Sequence, residues 1–323
     1  MSSNADRGHP TLRGRVAVAS GVGVAAGTIA AVRTQIDLAS ILKDFGYFWA
    51  AGRVLLEGGS PYQSLYVYPL PAAVAAAPFA MLPAHWAVVL FVGLSMALCA
   101  FALTREGYQR LPILMSFPAL TAMSTGQWSP LVLCAALGSG WGWVAALKPT
   151  LGAAMLARRL DWRGACWAAG FAALTLLIDP TWPLKWFRAM QDFAGVRLHH
   201  IPVMVPGGFL LLLAAARWRT EDGRLILGMS LVPQSMFFYD QLALGLLART
   251  FRQSLVCALW SYAVMAIAYL LAPKNLETIP QNAEYLSRII TWAYYLPALA
   301  FALRRPEQGS VAKDGVVAYP RRN

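Results

Sequence analysis

Three charged residues interrupt stretches that are otherwise apolar: Asp44, Lys148 and Asp240. A carboxylate can take a proton from a hydroxyl, and an ammonium can hold an anion, so these residue types carry the chemistry open to this chain. Each also has a plainer reading. Asp44 stands where an amphipathic helix begins and could simply cap it. Lys148, beside Pro149, is costly at membrane depth and so marks a candidate site, but its long stem could also carry the ammonium out to the headgroups. Asp240 follows Phe237-Phe238-Tyr239, either as a ligand contact or as a solvated helix end. Arg53 is a second candidate cation, or one more interfacial charge.

The elements that must position these residues are membrane helices. Hydrophobic residues make up 58% of the 323 and charged residues only 13%, where a soluble domain carries about 25% charged. Val16–Val32, Ala84–Leu103, Leu255–Leu271 and Ile289–Leu303 each approach the roughly 20 apolar residues that cross a bilayer. The net charge of +12 is spread as short basic clusters between apolar runs, the pattern of cytoplasmic loops. A nucleic-acid surface needs one contiguous patch instead. With both termini inside, sixteen of the 27 Lys and Arg residues fall on the cytoplasmic side and eight outside. This reading places a tail at 1–15, one integral-membrane domain at 16–303, outer loops at 33–68 and 179–205, and a second, disordered cytoplasmic tail at 304–323. The domain is all-α, with ten to twelve transmembrane or re-entrant helices. Prolines break the stretch from Pro69 to Ala157, which reads either as five short crossings or as a bent entry with one net crossing.

The segment Lys43–Pro71, KDFGYFWAAGRVLLEGGSPYQSLYVYPLP, holds two acids, two bases and seven aromatic rings between apolar stretches. Phe45, Phe48, Trp49, Val54 and Leu55 fall near helical spacing and Gly58-Gly59 supplies a stop, so the spacing predicts a surface helix on the outer leaflet. Within it, Asp44, Tyr47, Ala51-Gly52-Arg53, Leu56, Gly58, Pro61-Tyr62, Tyr66 and Tyr68-Pro69 resemble the first outer loop of glycosyltransferase family 87. The resemblance continues through APFAMLPAHWAVVLF, the Phe117-Pro118 and Gly126-Gln127 pairs, Lys148-Pro149 and Tyr239-Asp240, in order along roughly residues 44–240. Trp128 stands where that family usually has Asn, and Tyr68-Pro69-Leu70-Pro71 replaces its Tyr-Pro-Pro.

The resemblance implies a polytopic sugar transferase of the GT-C type in the plasma (inner) membrane. It would be an inverting hexosyltransferase, for mannose in the first instance, using a polyprenyl-phosphate sugar donor and a glycolipid or glycan acceptor at the outer face. In it Asp44 is the general base, Lys148 and Arg53 meet the donor phosphate, and Tyr47, Tyr62, Tyr68, Gln127 and Asp240 contact substrate. No cofactor is implied. The alternative from another class is a transporter or flippase of a lipid-linked sugar or small solute, with Lys148 and Asp240 as coupling charges. Inverted repeats would favour it, and none is visible. A non-catalytic scaffold has no need of the acids gathered on the outer side.

The remaining signals are weaker. His199-His200 lacks a third close ligand, so no metal is expected. Trp182, Trp186, Met190 and Phe193 repeat at helical spacing and predict a second interfacial helix. GVGVAAG at Gly21–Gly27 imitates a dinucleotide loop without a preceding strand and reads as a close helix contact. Cys99, Cys134, Cys166 and Cys257 lie in apolar runs and read as small core residues.

Overall fold

The computed structural model describes residues 10–63, 66–194, 199–235, 237–273 and 278–305. Most of both tails, and the side chains of Lys43 and Phe193, lie outside the described residues. The fold is helical. In chain order the helices are α1 (Leu12–Leu56), α2 (Leu70–Ala80), α3 (Ala84–Leu103), α4 (Phe117–Thr125), α5 (Ser129–Leu133) and α6 (Pro149–Arg159). They are followed by α7 (Trp162–Leu174), α8 (Trp182–Ala194), α9 (Glu221–Leu231), α10 (Phe251–Leu270), α11 (Ile279–Ile290) and α12 (Leu296–Arg304). Stretches of 3-10 helix lie between them, notably Ser139–Ala146, Gly208–Arg217 and Asp240–Leu247. A two-residue antiparallel pairing sets His199 opposite Ser235 and His200 opposite Gln234.

Among the described residues four helices are long and apolar enough to cross a membrane: Leu12–Asp37, Ala84–Glu106, Phe251–Leu270 and Gln281–Arg304. A fifth span results if Trp162–Leu177 and Trp182–Asp192, bent by 102°, count as one. The chain is therefore a helical membrane protein, and its other described helices are short. Of the ten to twelve transmembrane or re-entrant helices expected, four or five have the length and composition of a span among the described residues, which hold twelve α-helices in all. Prolines open α2, α4, α5 and α6 at the first turn, where the ring is tolerated, and α2 holds a further one, Pro78, in its interior.

The glycine-rich run of α1 does what small residues do between membrane helices. A Cβ on Gly23 would lie 2.8 Å from that of Ala97, and one on Gly93 would lie 3.0 Å from the Gly23 carbonyl. Backbones of α1 and α3 thus touch directly, and any larger side chain would part them.

Much of the stretch expected as an outer loop at 33–68 is helical, as the spacing of its aromatics predicted. Helix α1 continues to Leu56, broken only at Asp37, whose φ of −154° and ψ of 81° leave the helical region. The aromatic face beyond the break is turned into the protein: Phe45 and Phe48 are fully buried and Ala51 nearly so. Phe45 packs on Phe91 of α3, and Phe48 edges onto Trp128. An aromatic face at helical spacing serves a lipid interface or a protein core equally well, and here α2, α3 and α4 cover it. Helix α8 does form at the expected place. Its Trp182 and Trp186 turn inward, the Trp186 indole donating to the Val67 carbonyl at 2.9 Å, while Met190 is exposed. Of the four cysteines Cys99 and Cys134 are buried, whereas Cys166 is exposed on α7 and Cys257 is half-buried on α10; small apolar side chains fit either setting.

Candidate functional site

Asp44 lies seven residues past the break at Asp37, inside the second half of α1. A cap must sit at the helix start, where free N–H groups need an acceptor, so the capping reading falls. The side chain is half-buried. Burial raises the carboxyl above its ordinary value, against the lowering influence of Gln127, Lys148 and Thr125, while nearby Asp240 raises it further.

Gly126 brings Gln127 to this carboxyl. It ends α4 in the left-handed conformation, φ 64° and ψ 47°, which glycine adopts at no steric cost. A Cβ here would lie 2.6 Å from that of Phe45, the neighbour of Asp44. Glycine is required twice over, for the turn and for the close approach of α4 to α1. Beyond the turn Gln127 is 1% exposed, and Trp128 wedges edge-on between Phe48 and Phe91. The residue before a proline is pushed out of the helical region, and Lys148 accordingly holds φ −142° and ψ 81° ahead of α6.

Asp240 arrives by a strained route. Phe238, fully buried between Phe117 and Tyr294, has φ 65°, an arrangement that costs a bulky side chain on the order of 1–2 kcal/mol. It reverses the chain so that Asp240 opens the following 3-10 segment facing α6. There Asp240 accepts from Lys148 Nζ at 2.6 Å, Ser129 Oγ at 2.8 Å and the Ser235 amide at 3.1 Å. The Tyr239 ring lies 4.7 Å from the same ammonium. Lysine and aspartate are both more than nine-tenths buried. A buried carboxylate survives only when paired and hydrogen-bonded, and these contacts meet that demand. Lysine has three donors, and Asp240 takes one of them.

Around this pair several polar groups have no such satisfaction. Both amide atoms of Gln127 and the Trp128 indole nitrogen are buried without a hydrogen-bond partner of good geometry, as are the Gln241 amide and the Tyr295 hydroxyl, which lie against one another. Gln127 nevertheless stands as the largest favourable influence on Asp44 and on the Tyr68 hydroxyl, so it faces both. Buried unpaired polar groups are rare enough that each needs a cause, and a polar ligand between Asp44 and Lys148 would supply one.

The structure therefore gathers Asp44, Gln127, Lys148, Asp240 and Tyr68 from distant parts of the chain. Burial pushes the Tyr68 hydroxyl up, with the Asp44 charge adding to it, so the phenol stays a donor. Tyr47 is 46% exposed, at the edge of the group and within electrostatic reach of Tyr68. Tyr62 lies one step out, its hydroxyl donating to the Tyr68 carbonyl at 3.1 Å and its ring 5.7 Å from that of Tyr66. Arg53 is not brought in: its guanidinium is exposed, over the Trp49 ring and 3.6 Å from Glu57. Sequence reasoning missed Thr125, Ser129, Ser235, Gln241 and Tyr295. Ser129 follows closely on the Gly-Gln pair, but nothing in the sequence sets Gln241 or Tyr295 apart from other polar residues in helices. No family model, curated protein or solved structure matches this chain.

Proposed function

We propose that this protein is a membrane-embedded sugar transferase that moves a hexose, mannose in the first instance, from a polyprenyl-phosphate donor to a glycolipid or glycan acceptor at the outer face of the plasma membrane. The observation that carries the reading is one carboxylate, Asp44, facing an ammonium, Lys148, across a set of unpaired polar groups. In this reading Asp44 takes the proton of the acceptor hydroxyl as the hydroxyl oxygen attacks the anomeric carbon. The bond from that carbon to the phosphate oxygen breaks on the opposite side, which inverts the centre, and the electron pair leaves with the phosphate. Lys148, held in place by Asp240, offers its remaining donors to the growing charge there. Gln127 and Tyr68 orient the base and a sugar hydroxyl. Burial favours this role, because a carboxylate raised above its ordinary value is a stronger base.

A buried Lys–Asp pair is also what a carrier uses to couple transport to a proton, which keeps a lipid-linked sugar flippase as the second reading. Purified protein given a polyprenyl-phosphate mannose and an acceptor separates them. Sugar transfer that disappears in Asp44→Asn supports the transferase. Movement of intact lipid-linked sugar across vesicles, without transfer from any lipid-phosphate donor, supports the carrier.

A further inference from the structure

The opposite end of the molecule carries a second charged centre that the site above does not use. Helix α6 starts directly after Lys148 and ends at Arg158-Arg159, while the 3-10 segment begins at Asp240 and ends just before Ala248-Arg249. An eleven-residue helix rises about 16 Å, so the two centres lie at opposite ends of the same elements. A cavity of about 520 Å³ opens there. Eight arginines line it against three carboxylates, Glu106, Glu221 and Asp222. Three full-length spans end beside it: α3 runs on to Glu106, α10 begins at Phe251 and α12 ends at Arg304. The cavity is thus at the level where apolar helix gives way to headgroups and water.

The carboxylates do not satisfy the cations. Glu106 bonds Arg110 at 2.9 Å and Arg159 at 2.6 Å, Glu221 meets Arg158 at 2.6 Å, and Asp222 is shared by Arg249 and Arg305. Arg158 is 2% exposed, with its two terminal nitrogens spent on Glu221 and the Ala136 carbonyl. Its Nε is buried without a hydrogen-bond partner, while that of Arg159 lies 3.3 Å from a Glu221 carboxylate oxygen. Burial pulls the Arg158 guanidinium below its ordinary value, with Glu221 opposing and Arg110 and Arg159 adding to the fall. Arg224 donates to the carbonyls of Arg158 and Trp218 and, among the described residues, to no carboxylate. Arg219 is exposed at the rim. Arg217 aside, seven arginines face three carboxylates around this cavity among the described residues.

We infer that this cavity binds a phosphate-bearing anion. The planar fork of arginine matches phosphate oxygens in pairs, and basic pockets between membrane helices suit lipid headgroups in the same way. A phosphodiester headgroup from the adjoining leaflet and a soluble phosphate present the same oxygens. The inference stands apart from the sugar-transfer reading, since it uses none of that site's residues.

The test uses the full chain in a non-ionic maltoside micelle, with two probes: inorganic pyrophosphate, and phosphatidylglycerol compared with phosphatidylcholine. Calorimetry and native mass spectrometry read stoichiometry and affinity. One anion should bind per chain, more weakly as salt rises, and Arg219→Gln with Arg224→Gln should weaken it at least about tenfold. Arg13→Gln with Arg252→Gln removes as much charge from exposed positions off the cavity and should leave binding unchanged. Retained phosphatidylglycerol that pyrophosphate does not displace identifies a lipid headgroup; saturable pyrophosphate binding that excludes the lipid identifies a soluble phosphate. Should the cavity double variant fail to fold, Arg219→Gln alone, at an exposed position, is read by the same criterion. No saturable binding of either probe, or equal weakening by the two double variants, overturns the inference.

Discussion

Lys148 Nζ lies 2.6 Å from Asp240 Oδ1, across 92 residues of sequence and with both side chains almost fully out of solvent. The pair ties the start of α6 to the turn after Phe238, and so joins two stretches that carry the site. Removing one member of a buried pair strands the other charge, at about 3–5 kcal/mol. Asp240→Asn or Lys148→Met should each lower the thermal midpoint in detergent sharply. Lys148→Met with Asp240→Leu should recover much of that loss while remaining inactive. Single variants as stable as the parent would show that the pair does not hold the fold.

Asp44→Asn separates chemistry from stability. The folded protein raises this carboxyl above its ordinary value, so the ionised form is disfavoured by folding. A raised carboxyl means the folded state holds its proton longer, and stability falls as pH climbs from the ordinary value through the raised one. At neutral pH the Asn variant should therefore unfold at the same temperature as the parent or higher, yet transfer no sugar. Turnover like that of the parent would remove Asp44 from the chemistry.

The same base sets the acid side of the pH profile. Activity needs ionised Asp44, so the rate should fall as pH drops through its raised value. Gln127 is the largest influence holding that value down. Gln127→Leu should move the acid limb to higher pH, besides reducing the maximal rate. An acid limb that stays in place would detach Gln127 from the base.

Gly126 is the position where backbone and packing coincide. Gly126→Ala meets both the left-handed φ and the Phe45 side chain. Overpacking alone costs about 1–3 kcal/mol, and relief requires moving Gln127 away from Asp44. The variant should lose activity beyond what its stability loss explains. Gly170, mid-way along α7 with open space around it, gives the contrast: Gly170→Ala should be neutral or stabilise by about 0.5–1 kcal/mol.

Orientation is tested by single cysteines in a background lacking the four native ones, since Cys166 is exposed. Gln63→Cys and Arg252→Cys are both at exposed positions. An impermeant thiol reagent on intact cells should label the first and spare the second. The reverse pattern would place Asp44 on the cytoplasmic side and defeat a donor presented from outside.

The sequence by itself determined the class of this protein and the position of its long helices. Runs such as Ala84–Leu103 have no stable place in water, and their composition alone announces that. It also carried the pairs Gly126-Gln127, Lys148-Pro149 and Tyr239-Asp240, because left-handed turns and pre-proline residues leave local signatures. What only the tertiary structure decided is which partners those residues meet. The aromatic face of Phe45 and Phe48 reads identically for lipid headgroups and for α3, and only packing turned it inward. Arg53 and Lys148 look alike as lone cations in an apolar chain, yet one stays on the surface with Glu57 and the other is buried against Asp240. An ion pair between residues 92 apart depends on a chain reversal at Phe238 that its own residue type disfavours, and no local rule in the sequence predicts a conformation that the surrounding core imposes.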